Sequence, residues 1–263
     1  MAADSIAAAA GHHLPMKRSW VCWLVLPMLW SAFGVDAEEL AAAKVRAAVQ
    51  GHDSGAQVGA LDSAPVSGMY LTTIDGVSGY VSADGRYFIV GDMLDLASRK
   101  NVTEEQRKAK RRALLKRIGQ GEAIVFGPEQ PKYTVTVFTD ADCPYCRKLH
   151  EQVGELQKKG VEVRYVAFPR SGPETKSWRT MTAVWCAKDR KEALNRAIRG
   201  EQLSAGSKCS DAVIGKQYEL GQKLGIPGTP MIVLSDGTAL NGYVEPDKLL
   251  VSLEEHEAAR KSE

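Results

Sequence analysis

Apolar positions near the front of the chain recur at helical spacing from 38 to 49 (Leu40, Ala43, Val45, Ala47), and Gly51 breaks the run. Residues 52–67 hold no sustained period and read as a loop. Short alternating runs follow at 69–74, 77–81 and 86–90. Asp75-Gly76 and Asp84-Gly85 separate them. Asp-Gly is a strong hairpin signal because both residues tolerate the left-handed backbone of a tight turn. The pattern predicts a helix and a three-strand meander. A unit of about 60 residues has a small core, and such units often gain stability by oligomerising.

Thr103-Glu104-Glu105-Gln106 has the form of a capping box, with Thr at the cap and Gln three residues on. It predicts a helix through Lys116-Arg117-Ile118, stopped by Gly119 and Gly121. The helix is basic: Arg107, Lys108, Lys110, Arg111, Arg112, Lys116 and Arg117. One reading is an anion- or membrane-binding helix. The reading preferred is a solvated connector whose apolar edge (Ala109, Ala113, Leu114, Ile118) leans on a neighbour. From Tyr133 the pattern alternates between strand and helix. A strand at 133–139 leads into a helix at 144–159, ended by Gly160, and a strand follows at 161–168. Helices are predicted at 175–188, 190–199 and 211–224, strands at 228–234 and 238–243, and a closing helix at 246–259. That order is the order of a thioredoxin-type fold, α/β in class and α+β over the whole chain.

Composition adds a compartment. Met16-Lys17-Arg18-Ser19 is a basic stretch, and 20–33 follows without a charge. That run is short for a membrane span and of the right length for a secretory signal, with small or tolerated residues at Val35-Asp36-Ala37 for cleavage after Ala37. A buried core helix is the alternative; the ordered basic, apolar and small-residue regions favour the signal. Residues 1–15 do not fit a charged start and read as an upstream extension, with Met16 as initiator, so His12 and His13 are given no metal role. Removing 1–37 takes Cys22 and leaves an even set: Cys143, Cys146, Cys186 and Cys209. An even set in an exported chain suits an oxidising compartment. The formal net charge of +2 argues for neither nucleic acid nor membrane adhesion.

The chemistry concentrates at Cys143-Pro144-Tyr145-Cys146. Two thiols at this spacing form a small reducible disulfide, and a helix N-terminus stabilises a thiolate there. Pro144 suits the first helical turn, where a missing N–H costs nothing. Cys143, on the loop side, is expected to be exposed and nucleophilic. Cys146, one turn in, is expected to be buried and to resolve mixed disulfides. Arg147 and Lys148 add positive potential and Asp140 and Asp142 oppose it; His150 either tunes the pair as well or, the reading preferred, is an exposed helix residue. A structural zinc needs a second close pair of ligands; Cys186 and Cys209 lie far apart, so no metal and no cofactor is expected. The close pairing of the first two cysteines leaves Cys186 and Cys209 for each other. They form either a second active pair or, the reading preferred, a structural bridge. Thr229-Pro230 ahead of a strand suits a cis peptide in a tight turn; an ordinary trans loop is the alternative.

With these motifs the chain resembles the bacterial periplasmic disulfide isomerases of the DsbC/DsbG family, over nearly all of the mature sequence. The carriers are Gly-Val-Ser-Gly-Tyr-Val-Ser-Ala-Asp-Gly-Arg-Tyr, Val-Thr-Val-Phe-Thr-Asp, Cys-Pro-Tyr-Cys-Arg-Lys-Leu-His-Glu-Gln, Arg-Tyr-Val-Ala-Phe-Pro-Arg, Trp-Cys-Ala-Lys-Asp and Gly-Thr-Pro. The resemblance implies a signal peptide at 1–37, a cystatin-like dimerisation domain at 38–98, a linker helix at 99–121 and a thioredoxin-like catalytic domain at 122–263. It implies a V-shaped periplasmic homodimer whose apolar cleft holds misfolded, disulfide-containing exported proteins, with chaperone activity. A membrane thiol reductase of the DsbD type is the implied electron donor, and no nucleic acid is involved. By position, Cys143 is the nucleophile, Cys146 its partner, Thr229-Pro230 the cis-proline loop and Cys186–Cys209 a structural bridge. One departure stands out. Pro144-Tyr145 occupies the place where the DsbC type has Gly-Tyr, and it matches the DsbG type. A DsbG-like reductase that protects oxidised single cysteines is therefore the alternative, and an oxidase or a holdase chaperone are the further ones. The dimer module argues against an oxidase.

Overall fold

The computed structural model describes residues 37–204, 206 and 209–261. The expected leader lies outside them except for Ala37, as does the upstream extension 1–15.

Helix α1 (Ala37–His52) packs Ala42 and Val45 against Leu61 and Val81, the core of the front unit. Strands β1 (Asp62–Ser63), β2 (Met69–Ile74), β3 (Val77–Ser82) and β4 (Phe88–Ile89) form an antiparallel sheet in that order. The turn between β2 and β3 runs through Asp75 (φ 49) and Gly76 (φ 80), the left-handed geometry its Asp-Gly pair favours. The segment 52–67, read as loop, contributes β1 and a bridge from Val58 to Ile74. Two-residue pairings are too short to leave a period in the sequence. The same holds for the ribbon of β5 (Leu94–Asp95) and β6 (Lys100–Asn101). The strand expected at 86–90 shrinks to β4, where Ile89 is exposed, as are Val90, Leu94 and Leu96 beyond it.

Helix α2 (Val102–Leu115) begins differently from its capping-box reading. Asn101 is the cap, its Oδ1 accepting from the Glu104 amide at 2.9 Å. Thr103 is instead fully buried, bonded to the Tyr80 hydroxyl and accepting from the Met93 amide at 2.7 Å. Gln106 reaches across to the Ser63 carbonyl at 2.9 Å instead of back to the cap. The demand of the front core for a buried hydroxyl overrides the local motif. The α-helix ends at Leu115, and tightened i→i−3 bonds carry 117 and 118. Its apolar edge is also redrawn. Ala109 and Ala113 are exposed, while Leu114, Leu115 and Ile118 pack on the second unit against the cluster of Phe138, Val166 and Met231. Arg111 and Arg112 donate to the carbonyls of Gly237 (3.1 Å) and Asp236 (2.6 Å). Gly237 has φ 90, and a Cβ there would collide with the Lys108 carbonyl. The basic helix is thus docked, not merely solvated.

The second unit is a five-stranded sheet ordered β11-β10-β8-β9-β7. Its strands are β7 (Ile124–Phe126), β8 (Tyr133–Thr139), β9 (Val161–Ala167), β10 (Met231–Val233) and β11 (Ala239–Asn241). Only β8 and β9 pair in parallel. Strand β7 went unread in the sequence, being three residues between glycines. The helix expected at 144–159 divides at Gln152 into α3 (Pro144–Glu151) and α4 (Val153–Lys158). At the division the Gln152 amide bonds back to Leu149, and its Oε1 accepts from the Tyr243 hydroxyl at 2.6 Å. Helices α5 (Lys176–Cys186), α6 (Arg190–Ile198), α7 (Ala212–Lys223) and α8 (Pro246–Lys261) complete the unit. Val135, Val137, Val163 and Tyr165 point from the central strands into the main core with Leu149, Met181 and Leu194, all essentially inaccessible to solvent. Among the described residues no helix is long and apolar enough to cross a membrane.

Candidate active site

Strand β8 ends where its chain meets the N-terminus of α3, and Cys143 is the cap residue there, in extended conformation, with Pro144 opening the helix. The Cys143 amide donates to the Asp140 carbonyl at 3.1 Å, so the loop closes as a tight turn. The cis Thr229–Pro230 peptide precedes β10, which pairs with β8. That pairing brings the Thr229 carbonyl to 3.2 Å from Cys143 Sγ, which donates to it when protonated. Cys143 is consequently not exposed, as the sequence reading had it: both Cys143 and Cys146 are about 1 % accessible. The Thr229 loop and the helix start cover the sulfur. Tyr145, between them, stands out at 61 % exposure.

The two thiols are strongly different in acidity. Cys143 is pulled down to about 5, first by the hydrogen bond from Cys146, then by Thr229, the Cys146 amide and the charge of Arg170. Cys146 is pushed far above the ordinary thiol range by burial and by its bond to Cys143. The proton therefore rests on Cys146, which donates it to a Cys143 thiolate. A thiolate is the species that can attack a disulfide, and here it falls on Cys143.

Asp140 holds the loop. Its oxygens accept from the Asp142 amide (3.0 Å), the Arg170 amide (3.0 Å), Arg170 Nε (3.1 Å) and the Ser177 hydroxyl. The carboxylate is buried and the guanidinium is 42 % exposed. Arg170 was not singled out in the sequence, yet it supplies the cationic field at Cys143. Its only signal was its place right after Phe168-Pro169 at the end of β9. Arg147 and Lys148 are engaged elsewhere: Arg147 Nε donates to the Ala141 carbonyl at 3.1 Å, and Lys148 lies 4.3 Å from the Tyr243 ring centroid.

His150 also departs from its reading. It is 7 % exposed, with Nδ1 at 3.1 Å from the Tyr165 hydroxyl and Nε2 at 2.8 Å from Asn195 Oδ1. The Phe126 ring meets it edge-on. It sits one turn after Cys146 on the face that α3 buries, and the polar partners on β9 and α6 make that depth tolerable. Cys186 and Cys209 form a disulfide with Cα atoms 5.8 Å apart. Cys186 is the last residue of α5, about 14 Å along that helix from Ser177.

Known proteins match this arrangement along most of its length. Residues 121–257 fit the thioredoxin-like domain family, and 36–104 fit the disulfide bond isomerase protein N-terminal domain. The thiol:disulfide interchange protein DsbC of Escherichia coli (strain K12) is 38 % identical over 199 residues, covering 75 % of this chain and 81 % of its own. That of Salmonella typhimurium is 39 % identical over 206 residues, covering 77 % and 84 %, and that of Dickeya dadantii is 35 % identical over 210 residues, covering 79 % and 85 %. The chain belongs to the DsbC family. Members of the DsbC family are thiol–disulfide interchange proteins, and this chain is accordingly a thiol–disulfide oxidoreductase with a thioredoxin-like domain behind a DsbC-type N-terminal domain.

Proposed function

We propose that this protein is a periplasmic disulfide isomerase. Cys143 attacks a wrong disulfide in an exported client and forms a mixed disulfide. A client thiol then reopens it to a different pairing, or Cys146 resolves it and releases reduced client. The observation that carries the reading is the split acidity of the pair. A thiolate held at about 5 is present at neutral pH. It also favours the dithiol over the disulfide, so the pair rests ready to attack. A membrane thiol reductase of the DsbD type would restore the dithiol after a reductive turnover.

The front unit supports the dimeric, client-holding part of the proposal. Ile89, Val90, Leu94 and Leu96 are each more than half exposed around the short edge strand β4, and an apolar edge invites strand pairing. Residues 38–98 would form the dimer, 99–121 would link it to the catalytic domain at 122–263, and 1–37 would be removed on export. An intact mass starting at Glu38 and a dimer in sedimentation are expected; a monomer at micromolar concentration counts against the assembly.

A DsbG-like reductase of oxidised single cysteines is the second reading, favoured by Pro144-Tyr145. Refolding of a scrambled multi-disulfide protein separates the two. The isomerase restores its activity without added oxidant. A protein that reduces a sulfenic acid but leaves the scrambled protein inactive is the reductase. Binding of clients by Cys143→Ala at full strength, with no reshuffling, marks the chaperone part by itself.

A further inference from the structure

Strand β9 pairs with β8 up to the last residue of both, and the Phe168 amide adds one more bond to the Thr139 carbonyl at 2.8 Å. The chain then turns at once. The Gly172 amide donates to the Pro169 carbonyl at 3.0 Å, which puts Arg170 and Ser171 in the middle of a tight turn. That turn is held beside the loop that carries Cys143, with a single residue between them. The Asp140 carbonyl accepts from the Cys143 amide at 3.1 Å, and the Asp140 carboxylate accepts from the Arg170 amide at 3.0 Å and Arg170 Nε at 3.1 Å.

Only one nitrogen of the Arg170 guanidinium is spent there. Its two terminal nitrogens make no hydrogen bond and no ion pair to any described residue. They are not among the buried atoms that lack a partner, and the side chain is 42 % exposed, so they face water. The guanidinium is planar. With Nε fixed on Asp140, its terminal edge is left as a two-donor fork of the shape that takes a carboxylate. The other charges near the cysteines are already engaged. Arg147 spends Nε on the Ala141 carbonyl and lies 3.9 Å from the Asp142 carboxylate, and Lys148 lies over the Tyr243 ring. Glu174, on the same segment as Arg170, is exposed and makes no ion pair with it among the described residues. The charge of Arg170 also reaches Cys143, where it helps to hold the thiolate.

We propose that Arg170 selects client disulfides by charge, its terminal fork pairing with a carboxylate that flanks the client cysteine under attack. The proposal deepens the isomerase reading and rests on Cys143 as the nucleophile. The reaction itself is unchanged. The Cys143 thiolate bonds to one client sulfur, the client S–S bond breaks, and the other client sulfur leaves with the electron pair and takes a proton from water. What Arg170 adds is placement. A carboxylate beside the attacked sulfur brings that sulfur to the Cys143 loop, because the fork and the loop are anchored to the same Asp140. A lysine in the same place meets a like charge and is disfavoured. Arg170 is thus a specificity residue, separate from the attacking group.

Peptides with a single cysteine, activated as the thiopyridyl disulfide and carrying Glu, Gln or Lys on both sides of that cysteine, serve as probes. Attack at the peptide sulfur releases pyridinethione, followed by absorbance in stopped flow with the reduced full-length protein at neutral pH. Each rate is divided by that of mercaptoethanol with the same peptide, which removes the intrinsic reactivity of the peptide sulfur. The Glu peptide is expected to react about fivefold faster than the Lys peptide, with Gln between, as a partly exposed ion pair allows. The preference should shrink at about 1 M salt. Arg170→Gln should bring the Glu and Lys rates to within about 1.5-fold of each other. That variant also disturbs Asp140 and the acidity of Cys143, but such an effect scales all three peptides alike and leaves their ratio untouched. Arg147→Gln should keep the preference. Equal rates for the Glu and Lys peptides in the unaltered protein overturn the proposal, whether or not the variant folds. So does a preference that survives Arg170→Gln, or one lost in Arg147→Gln instead. Release that survives Cys143→Ser overturns the nucleophile assignment. A protein that prefers the Glu peptide through Arg170 yet leaves a scrambled client inactive overturns the isomerase reading, while the role of Arg170 stands.

Discussion

The two cysteine pairs are made of the same groups and sit at opposite ends of helices. Cys143 caps the N-terminus of α3; Cys186 is the C-terminal residue of α5. The helix dipole favours a thiolate at the first place and disfavours it at the second. Exposure would rank them the other way. Cys143 and Cys146 are almost inaccessible, whereas Cys186 is exposed and Cys209 is half-buried. The lowered pKa of Cys143 therefore goes with its local field and hydrogen bonds, not with accessibility. Tyr145 stands exposed beside Cys143, whose sulfur lies under the Thr229 loop.

The strongest break of that contrast is to remove the nucleophile. Cys143→Ser is expected to lower reshuffling of a scrambled client by roughly 10³-fold or more, because a hydroxyl is not ionised near neutrality and no other group is placed to attack. Cys146→Ser should keep part of the activity and accumulate client mixed disulfides on Cys143, visible by non-reducing mass spectrometry. Equal trapping by the two variants would reverse the roles.

A second probe changes only pH. With Cys143 held at about 5, its alkylation rate is expected to reach half its plateau near that pH. An ordinary thiol does so near about 8.5. Folding stability of the reduced protein has a matching sign. The lowered folded value means that the unfolded chain binds a proton that the native state lacks in the window between the two. The Cys143 contribution to stability of the reduced form thus rises with pH across that window, is fully gained above the unfolded value, and is lost as pH falls through about 5. Urea unfolding of reduced protein, compared with Cys143→Ser across this range, checks it. Parallel curves for the two proteins would deny the thiolate its field.

Asp140→Ala tests what aims that field. It removes the acceptor shared by Asp142, Arg170 and Ser177. Arg170 stays partly exposed and rehydrates, so the cost is moderated to about 2–3 kcal/mol, in the range of hydrogen bonds to a charged group. The alkylation midpoint of Cys143 is expected to move, since Arg170 loses its anchor. A change in stability under about 0.5 kcal/mol, with the midpoint fixed, would show that the network only decorates the loop.

The sequence made the periodic parts of this molecule legible. Strands β2, β3, β8 and β9 are long enough to show their alternation, and Gly160 (φ 81) marks the turn between α4 and β9. The helix start at Cys143 was legible because Cys-x-x-Cys, Pro144 and the preceding apolar strand agree. What stayed hidden depends on tertiary partners. β7 and β1 exist because β9 and β2 offer them an edge. The α2 cap falls on Asn101 because Thr103 is claimed by Tyr80 and Met93. His150 looked like a surface residue until Tyr165 and Asn195, from two other elements, supplied its bonds. Arg170 acts at Cys143 through Asp140, and no spacing in the chain announces that.

The smallest expected effect on chemistry comes from the second pair. Cys186 and Cys209 close a loop of 23 positions across the end of α5 and the approach to α7. By the chain-entropy account such a bridge stabilises by about 3–4 kcal/mol, chiefly by restricting the unfolded chain. Replacing both by Ala should lower the melting temperature. Cys143 keeps its helix end, Asp140 keeps Arg170, and the Thr229 loop is held by β10, so the potential of the Cys143–Cys146 pair should shift by less than about 30 mV, which is roughly 1.4 kcal/mol for two electrons. Mild reductant should open Cys143–Cys146 first, since the thiolate it releases is the stabilised one. If Cys186–Cys209 opens as readily, or if the folded double variant loses turnover, the helix-end contrast fails and the second pair belongs to the electron path.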